Sequence, residues 1–406
     1  MADRPLVEEL RRAHPLLDPR GNQHHPELYR LFYRQYAAIE QSDEAYNDGL
    51  DRLFNPVGMD RSLDANRIEG AYYLNEASRY VEALLSLLPR RKATRLRPRP
   101  SVADCNDLRE LMEMVFSTND PRLTFEASRK LYLAKLFFDV AHTPSIQRGD
   151  IHREYFEKML QRELFVHTVG ERDADIAFNI AADGLRIEYN MGPPMSNQEA
   201  WRFRVRELNL LLDHRPVRIH VYFYSCRSKR EVLPYHYGRG QQVYELRAVE
   251  KWKQLSMRRD ASIVSKMLRK GVNHPGAIPD ILGAMFIVEN QLEVEHLKLA
   301  ILDIVGGPLK IRNIVDTLSD PSDRSRLNRH SGAGYRVYKG EVDVLYRARG
   351  SEDPPYSFTV ELQLYTLETY LRTIHEDHYA SHQTLKRRQF LEALAPLLFP
   401  EEIYGT

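Results

Sequence analysis

Residues 356 to 367, YSFTVELQLYTL, are the stretch that most constrains what this chain can fold into. Side chains that repeat every two residues point to the same face of a β-strand, and the large apolar ones here do so. They are Phe358, Val360, Leu362 and Leu364. The pattern therefore predicts a strand with one face in a core. The other face carries Glu361, a carboxylate in a run otherwise suited to burial, and that residue needs an explanation.

Composition narrows the class of protein. The chain has 406 residues, enough for two domains, with 43% hydrophobic and 28% charged residues, as in a globular protein. A net charge of +1 excludes a molecule that is basic overall, so any basic site must be local. The N-terminus lacks the apolar core of a signal peptide, and no run reaches the roughly 18 apolar residues of a membrane helix. The two cysteines, Cys105 and Cys226, have no metal-type spacing, so we expect a reducing, cytoplasmic location and no membrane contact.

Residues 1–170 are predicted to form a mostly helical domain of unknown role, with its boundary between 170 and 200. One helix is expected from a cap at Asp64 to a stop at Pro89. The basic segment RRKATRLRPRP, residues 90–100, is expected to be an exposed loop, with a phosphate-binding arm as the functional alternative. Further amphipathic helices are expected within 102–116, 124–142 and 152–164. These helices can serve an oligomer interface or a regulatory partner.

Residues 200–406 are predicted to form a second domain in which strands and helices alternate around a mixed sheet, an α+β arrangement. Segment 174–194 is expected to contain strand-like segments mixed with turn residues, and 197–214 is expected to be a helix. Later strands are expected at 217–225, 241–249, 282–290, 335–348 and 357–366, and helices at 261–271, 293–305 and from 367 onward. Residues 319–334 form a long polar stretch, which in a compact domain usually has a function.

Several polar residues of this second domain have the character of a phosphate site. Asp280 precedes an apolar strand, and Glu361 lies on another. Carboxylates on neighbouring strands can hold Mg²⁺, which prefers one or two carboxylates together with phosphate oxygens. Cations near a helix start, among them Arg258, Arg259 and Lys266, can hold a triphosphate. Tyr335 follows small residues and can stack on a nucleobase.

The order and spacing of these segments, over roughly residues 200 to 395, resemble the RelA/SpoT-type nucleotidyltransferase domain of alarmone synthetases. No single motif is specific, but four occur in the family's order. The matching residues are Ser262, Ile263 and Lys266 of the ATP-site helix, Asp280 and Gly283 of the metal motif, Gly334 and Tyr335 of the acceptor motif, and Val360, Glu361, Leu362 and Gln363 of the glutamate strand. Glu376, His382 and Lys386 resemble a later Glu, His and Lys, with His378 as an alternative for the histidine.

This resemblance implies a fold similar to DNA polymerase β and transfer of pyrophosphate from ATP to the 3′-hydroxyl of a guanine nucleotide. It implies that Asp280 and Glu361 bind Mg²⁺ and carry catalysis. It implies that the other matched residues bind substrate: Ser262, Lys266, Tyr335, Gln363, Glu376, His382 and Lys386. We expect four nearby cations to bind substrate as well: Arg258, Arg259, Arg336 and Lys339. No His-Asp pair occurs in the first half of the chain, so we expect no alarmone hydrolase activity.

The chain departs from the family at several positions. Met285 and Tyr365 replace arginines, Lys339 replaces the histidine that closes the acceptor motif, and Ala333 replaces an asparagine. These departures leave two other functions open: a toxin-type relative that modifies adenine nucleotides or the 3′ end of tRNA, and a degenerate module that binds a nucleotide or a protein partner without catalysis. His378 and His382 have a spacing that zinc can use, but no third ligand set accompanies them, so Mg²⁺ is the only metal we expect.

Overall fold

The computed structural model describes residues 27–39, 42–56, 59, 61–180, 187–192, 199–228, 260–278, 280–320, 322–323, 335–347, 354–374 and 389–405. The chain divides into two compact units. The first comprises Met1–Gln147, Lys251–Ile278 and Gln389–Thr406, and the second comprises Arg148–Glu250 and Pro279–Arg388. In this division the first unit ends at Gln147, before the boundary expected between 170 and 200, and it includes two later segments, 251–278 and 389–406.

The described part of the first unit is helical, as expected. Its helices are α1 (Glu27–Ile39), α2 (Asp43–Phe54), α3 (Leu63–Leu85), α4 (Arg90–Leu96), α5 (Pro100–Ala103), α6 (Leu108–Phe116), α7 (Pro121–His142), α8 (Pro144–Gln147), α10 (Ala261–Lys270), a π-helical turn (Gln389–Leu394), α13 (Ala395–Leu398) and α14 (Glu401–Tyr404). The long helices α3 and α7 pack together, with the buried rings of Tyr80 and Phe137 edge to face at 5.4 Å. The Tyr80 hydroxyl lies 2.6 Å from Ser265 Oγ on α10.

Two expectations for the first unit are wrong in detail. Helix α3 is capped by Ser62, whose Oγ accepts a hydrogen bond from the Ala65 N–H at 3.3 Å, and not by Asp64. The basic segment expected to be a loop contains helix α4, because Leu96 at its end is buried while the arginines and the lysine before it stay exposed.

The second unit is built on one eight-stranded sheet in the order β2-β1-β3-β4-β5-β8-β7-β6. Its strands are β1 (Thr168–Ile180), β2 (Ile187–Met191), β3 (Glu199–Leu212), β4 (Arg215–Ser228), β5 (Leu282–Val288), β6 (Ile311–Asp316), β7 (Tyr338–Tyr346) and β8 (Tyr356–Thr366). Neighbouring strands are antiparallel except β5 and β8, which are parallel. The sheet is therefore mixed, and the α+β prediction is confirmed at that level.

Helices lie against both faces of this sheet. One core contains apolar residues of α9 (Gly149–Glu163) and α11 (Gln291–Val305), and the other contains residues of α12 (Leu367–Ile374). Helix α9 begins at a glycine because a Cβ at Gly149 would lie 2.8 Å from Ser228 Oγ at the end of β4. The helices predicted at 293–305 and from 367, and the strands predicted at 217–225, 282–290, 335–348 and 357–366, are confirmed within these bounds.

The prediction of a helix over 197–214 is wrong, since this segment forms β3. Strand β6 was not predicted at all; it lies at the edge of the sheet, with a register irregularity between Arg312 and Val315. The strand expected at 241–249 and most of the polar stretch 319–334 lie outside the described residues. No helix in the described part of the chain is long and apolar enough to cross a membrane.

Candidate active site

Strand β8 is an interior strand of the sheet and carries Glu361 at its midpoint. Gly283 of the parallel strand β5 is its register partner on one side, and Glu341 of the antiparallel strand β7 is its partner on the other. The apolar residues that alternate with it all lie in one core, as predicted. Tyr365, four residues after Glu361 on the same face of the strand, lies in the second core. Strand β8 is therefore buried on both sides, and Glu361 is only 8% exposed.

Both oxygens of the Glu361 carboxylate have a partner. Lys339 Nζ lies 2.5 Å from Oε1, and Gln363 Nε2 donates a hydrogen bond to Oε2 at 2.6 Å. Lys339 and Gln363 face each other in the register of β7 and β8, which explains why both side chains reach the same carboxylate. Burial is the largest single effect and lowers the pKa of Lys339, but the charge of Glu361, the hydrogen bond to it and the charges of Tyr335 and Glu341 together outweigh burial, so the net shift of the Lys339 pKa is upward. The ammonium is therefore held in its charged form.

The network continues from Gln363 into two tyrosines. The Tyr365 hydroxyl donates to Gln363 Oε1 at 3.3 Å, and the Tyr335 and Tyr365 hydroxyls are 2.7 Å apart. The two rings meet edge to face, with centroids 6.2 Å apart. Burial raises the pKa of both phenols, so both stay protonated and available as hydrogen-bond donors.

Asp280 lies just before β5, three residues ahead of Gly283, the register partner of Glu361. It is 5% exposed. Of the two predicted metal ligands, Asp280 thus precedes β5 and Glu361 lies on its parallel neighbour β8, and both are buried. Buried carboxylates are stable only with a compensating cation or hydrogen bonds, and hard oxygen ligands suit Mg²⁺. The two carboxylates therefore fit a magnesium ion in their chemistry and burial. Lys339 shows that Glu361 can already bind a positive charge.

The other predicted site residues fall into three groups. Arg336 is exposed just before β7. Ser262 and Lys266 belong to the first unit, where they lie four residues apart on α10, exposed and half-buried respectively. Five predicted substrate-binding residues lie outside the described residues, together with the alternative His378: Arg258, Arg259, Glu376, His382 and Lys386. Their roles stay predictions.

The two positions where the resembled family has arginine are filled by side chains that pack. Met285 lies against the same core as Tyr335, and Tyr365 is itself a member of that core. The charge that arginines would bring to this face of the sheet is therefore replaced by a phenol network and a thioether.

Glu341 was missed by sequence reasoning. It lies directly opposite Glu361, where Cβ atoms of paired residues are about 4.5 to 5.5 Å apart. Its carboxylate accepts a hydrogen bond from Asn313 Nδ2 at 2.8 Å and lies 3.3 Å from Arg312 Nε. Two carboxylates opposite each other are unfavourable without compensation, so Lys339 and Arg312 balance this pair. The period-two spacing of Lys339 and Glu341 was visible in the sequence, but the register that brings them to Glu361 was not.

A second group of potential metal ligands was also missed. His220 on β4, Glu289 after β5 and Glu293 on α11 converge, with one ligand atom of each within 4.8 Å of the others. His220 Nδ1 lies 2.9 Å from Glu293 Oε1 and 3.3 Å from Glu289 Oε2. Glu293 Oε2 accepts the backbone N–H groups of His220 and Glu289, so this carboxylate also serves the start of α11. These internal bonds account for the group without an ion.

Comparisons with known proteins give structural neighbours and nothing else. No family model matches the chain, and none of the curated proteins matches it. The chain is similar to the small alarmone synthetase 1 from Bacillus subtilis, solved with its product pppGpp, at 20% identity, over 36% of this chain and 72% of that one, with a TM-score of 0.22. It is similar to smu.1046c from Streptococcus mutans at 15% identity, covering 46% and 77%, with a TM-score of 0.20. A GTP pyrophosphokinase family protein from Streptococcus pneumoniae is similar at 17% identity, covering 46% and 66%, with a TM-score of 0.20. Scores of this size do not establish a shared fold or activity.

Proposed function

We propose that the second unit is a Mg²⁺-dependent pyrophosphokinase with a nucleotidyltransferase arrangement, which transfers the β,γ-pyrophosphate of ATP to the 3′-hydroxyl of a guanine nucleotide. The observation that carries this proposal is the buried carboxylate Glu361 on an interior strand of the sheet, bonded to Lys339 and Gln363, with a second buried carboxylate, Asp280, just before the parallel neighbour β5. The sequence motifs around these residues support the same chemistry.

In this proposal Asp280 and Glu361 hold the ion, which neutralises charge on the transferred phosphates. The acceptor 3′-oxygen attacks the β-phosphorus of ATP, the bond between that phosphorus and the oxygen bridging to the α-phosphate breaks, and AMP leaves. The proton of the 3′-hydroxyl passes to Glu361 and then to solvent. Tyr335 stacks on the acceptor base, and Gln363 and Arg336 bind the nucleotide. Positioning and charge neutralisation suffice for this reaction, which needs no protein nucleophile.

The test is transfer of label from γ-³²P-ATP, with Mg²⁺, to a panel of GDP, GTP, ADP, ATP and uncharged tRNA. We expect a labelled guanine nucleotide with wild type and a loss of at least about 100-fold with Glu361→Gln or Asp280→Asn, since each removes charge where the transition state needs it. Glu171→Gln is the matched control, because Glu171 lies on β1 and pairs with arginines of β3. Equal activity of Glu361→Gln and Glu171→Gln would contradict the proposal.

The same panel tests the toxin-type alternative. A labelled adenine nucleotide or tRNA, with no labelled guanine nucleotide, would replace the proposed acceptor. The tRNA version predicts a basic surface. The exposed arginines and lysine of α4, in the first unit, belong to the segment for which the sequence offered phosphate binding as an alternative role.

One observation favours a binding module without catalysis. Both oxygens of Glu361 are engaged by protein groups, so the carboxylate is satisfied with no ion. In that case nucleotide binds, no acceptor is labelled, and nucleotide affinity is the same in wild type and Glu361→Gln. Equilibrium binding of a fluorescent ATP analogue to the two proteins separates this function from the enzyme.

A further inference from the structure

We infer that Lys339 is a resident cation that competes with the metal ion for Glu361, so that the ion binds more tightly when Lys339 moves away; this inference rests on the proposed function. It starts from the position of the ammonium, 2.5 Å from Oε1 of Glu361. A magnesium ion binds a carboxylate oxygen at about 2.0 to 2.1 Å. Both cations would then bind the same carboxylate oxygen and repel each other, so the ion binds more tightly once the lysine has moved away.

The second oxygen of Glu361 offers the ion no easier entry. Gln363 Nε2 donates to it at 2.6 Å, and Gln363 is in turn held by the Tyr365 hydroxyl. Tyr365 is buried and bonded to Tyr335, so the amide is fixed from behind. Lys339 is the less constrained of the two partners, because it has four rotatable side-chain bonds and its side chain is 35% exposed.

The carboxylate pair on β7 and β8 explains why a lysine is needed at this position, since the two negative charges require compensation. Glu361 faces Glu341 across the strands, and Arg312 lies against Glu341. Without an ion, Lys339 is the charge that compensates Glu361. With an ion in place, that compensation is redundant, and the released ammonium is free to bind a phosphate group of the nucleotide. The ion and the nucleotide should therefore increase each other's affinity. The ion displaces Lys339 from Glu361, and a nucleotide phosphate binds the displaced ammonium.

The experiment measures Mn²⁺ binding without nucleotide, by electron paramagnetic resonance of the free ion, in wild type, Lys339→Met, Lys339→Arg and Lys298→Met. Lys298 is the matched control, because it pairs with Glu295 on α11 and its removal changes the charge equally. Each of these proteins, including the one called wild type, also carries the background substitution Glu289→Gln, which removes a ligand from the His220 group. We expect Lys339→Met to bind Mn²⁺ with a roughly tenfold lower Kd than wild type, as for loss of one charge-assisted competitor. Lys339→Arg and Lys298→Met should stay near wild type.

Two further variants separate this inference from the proposed function. Glu361→Gln should abolish the gain that Lys339→Met brings. If Glu361→Gln weakens Mn²⁺ binding but Lys339→Met does not tighten it, the competition is wrong and the metal site stands. If Glu361→Gln has no effect on Mn²⁺ binding in either background, or no protein binds Mn²⁺, both ideas fail. Lys339→Gln replaces Lys339→Met if circular dichroism shows that the methionine variant does not fold.

Discussion

The Tyr365 hydroxyl stands where the resembled family has a charge, and it lies between two other polar groups. It donates to Gln363 and meets the Tyr335 hydroxyl inside an apolar core. We expect Tyr365→Phe to lower the free energy of unfolding of the second unit by about 1 to 2 kcal/mol, because a buried polar partner is left without its bond. Urea denaturation followed by circular dichroism measures this change.

Tyr222→Phe is the control for that substitution. Tyr222 belongs to the same core and is 1% exposed, but its hydroxyl has no hydrogen-bond partner among the residues that the structure describes. Removal of a buried unsatisfied hydroxyl should leave stability unchanged within about 0.5 kcal/mol or raise it. Equal destabilisation by the two substitutions would show that the Tyr335–Tyr365–Gln363 bonds contribute nothing beyond ring packing.

The sequence predicted half of this residue network. Alternation along β8 was enough to predict that Glu361 and Gln363 share a face, because side-chain direction in a strand depends only on parity. The bond from Lys339 to Glu361 depends on the register between β7 and β8, which is set by packing of the whole sheet. A single sequence is therefore enough to single out Glu361 but not to predict that Lys339 bonds to it.

Helix α9 docks on β8 through a buried histidine. The His152 ring stacks on Phe358 with centroids 4.4 Å apart, and its Nε2 lies 2.8 Å from the Tyr356 hydroxyl. Burial, together with the smaller effect of the positive charge of Arg148, lowers the pKa of His152 to about 4. Between the unfolded pKa of about 6.5 and the folded pKa, His152 is protonated in the unfolded chain but neutral in the folded unit. Its contribution to stability is therefore full above pH 6.5 and is lost as the pH falls towards 4.

The expected loss from this one residue is up to about 3 kcal/mol between pH 7 and pH 4. Urea titrations across this range measure it. His152→Gln keeps a polar group for Tyr356 but does not titrate, so its profile should be flatter than that of wild type by this amount. His167→Gln is the control at an exposed position on the same unit and should keep the wild-type profile. Identical profiles for all three proteins would mean that α9 does not impose the shift.

The misprediction of β3 has a physical cause in how the strand is buried. Trp201, Phe203 and Val205 lie in one core of the sheet, whereas Leu208 and Leu210 lie in the other. The strand thus changes its most buried face halfway. The apolar spacing across that change includes intervals of three and four residues, which is the signature of a helix. The arginines between them, at 202, 204 and 206, pair with acids on β1 and keep the period of two, and that was the signal for a strand.

At the scale of the whole chain, the C-terminal segment belongs with the N-terminal helices. Arg129 of α7 is 1% exposed, and its guanidinium donates to the Leu398 carbonyl and lies over the rings of Phe399 and Tyr404. Segment 389–404 also buries several apolar side chains. Nothing in the linear order of residues 1–170 indicated that this helical unit is completed more than 200 residues later, because contacts of such separation leave no local pattern.

Removal of residues 389–406 should therefore unfold the first unit and spare the second. Each buried apolar side chain contributes about 1.5 to 3 kcal/mol, and a domain is stable by only about 5 to 15 kcal/mol, so the loss of Phe390, Leu394, Leu397 and Leu398 removes most of that margin. Hydrogen exchange should show α7 amides losing protection while β8 amides, in the second unit, keep theirs. Deletion of Gly405 and Thr406 alone is the control and should change neither. Full protection of α7 in the longer deletion would show that the helical unit folds without this segment, and loss of protection in β8 would show that the two units do not unfold independently.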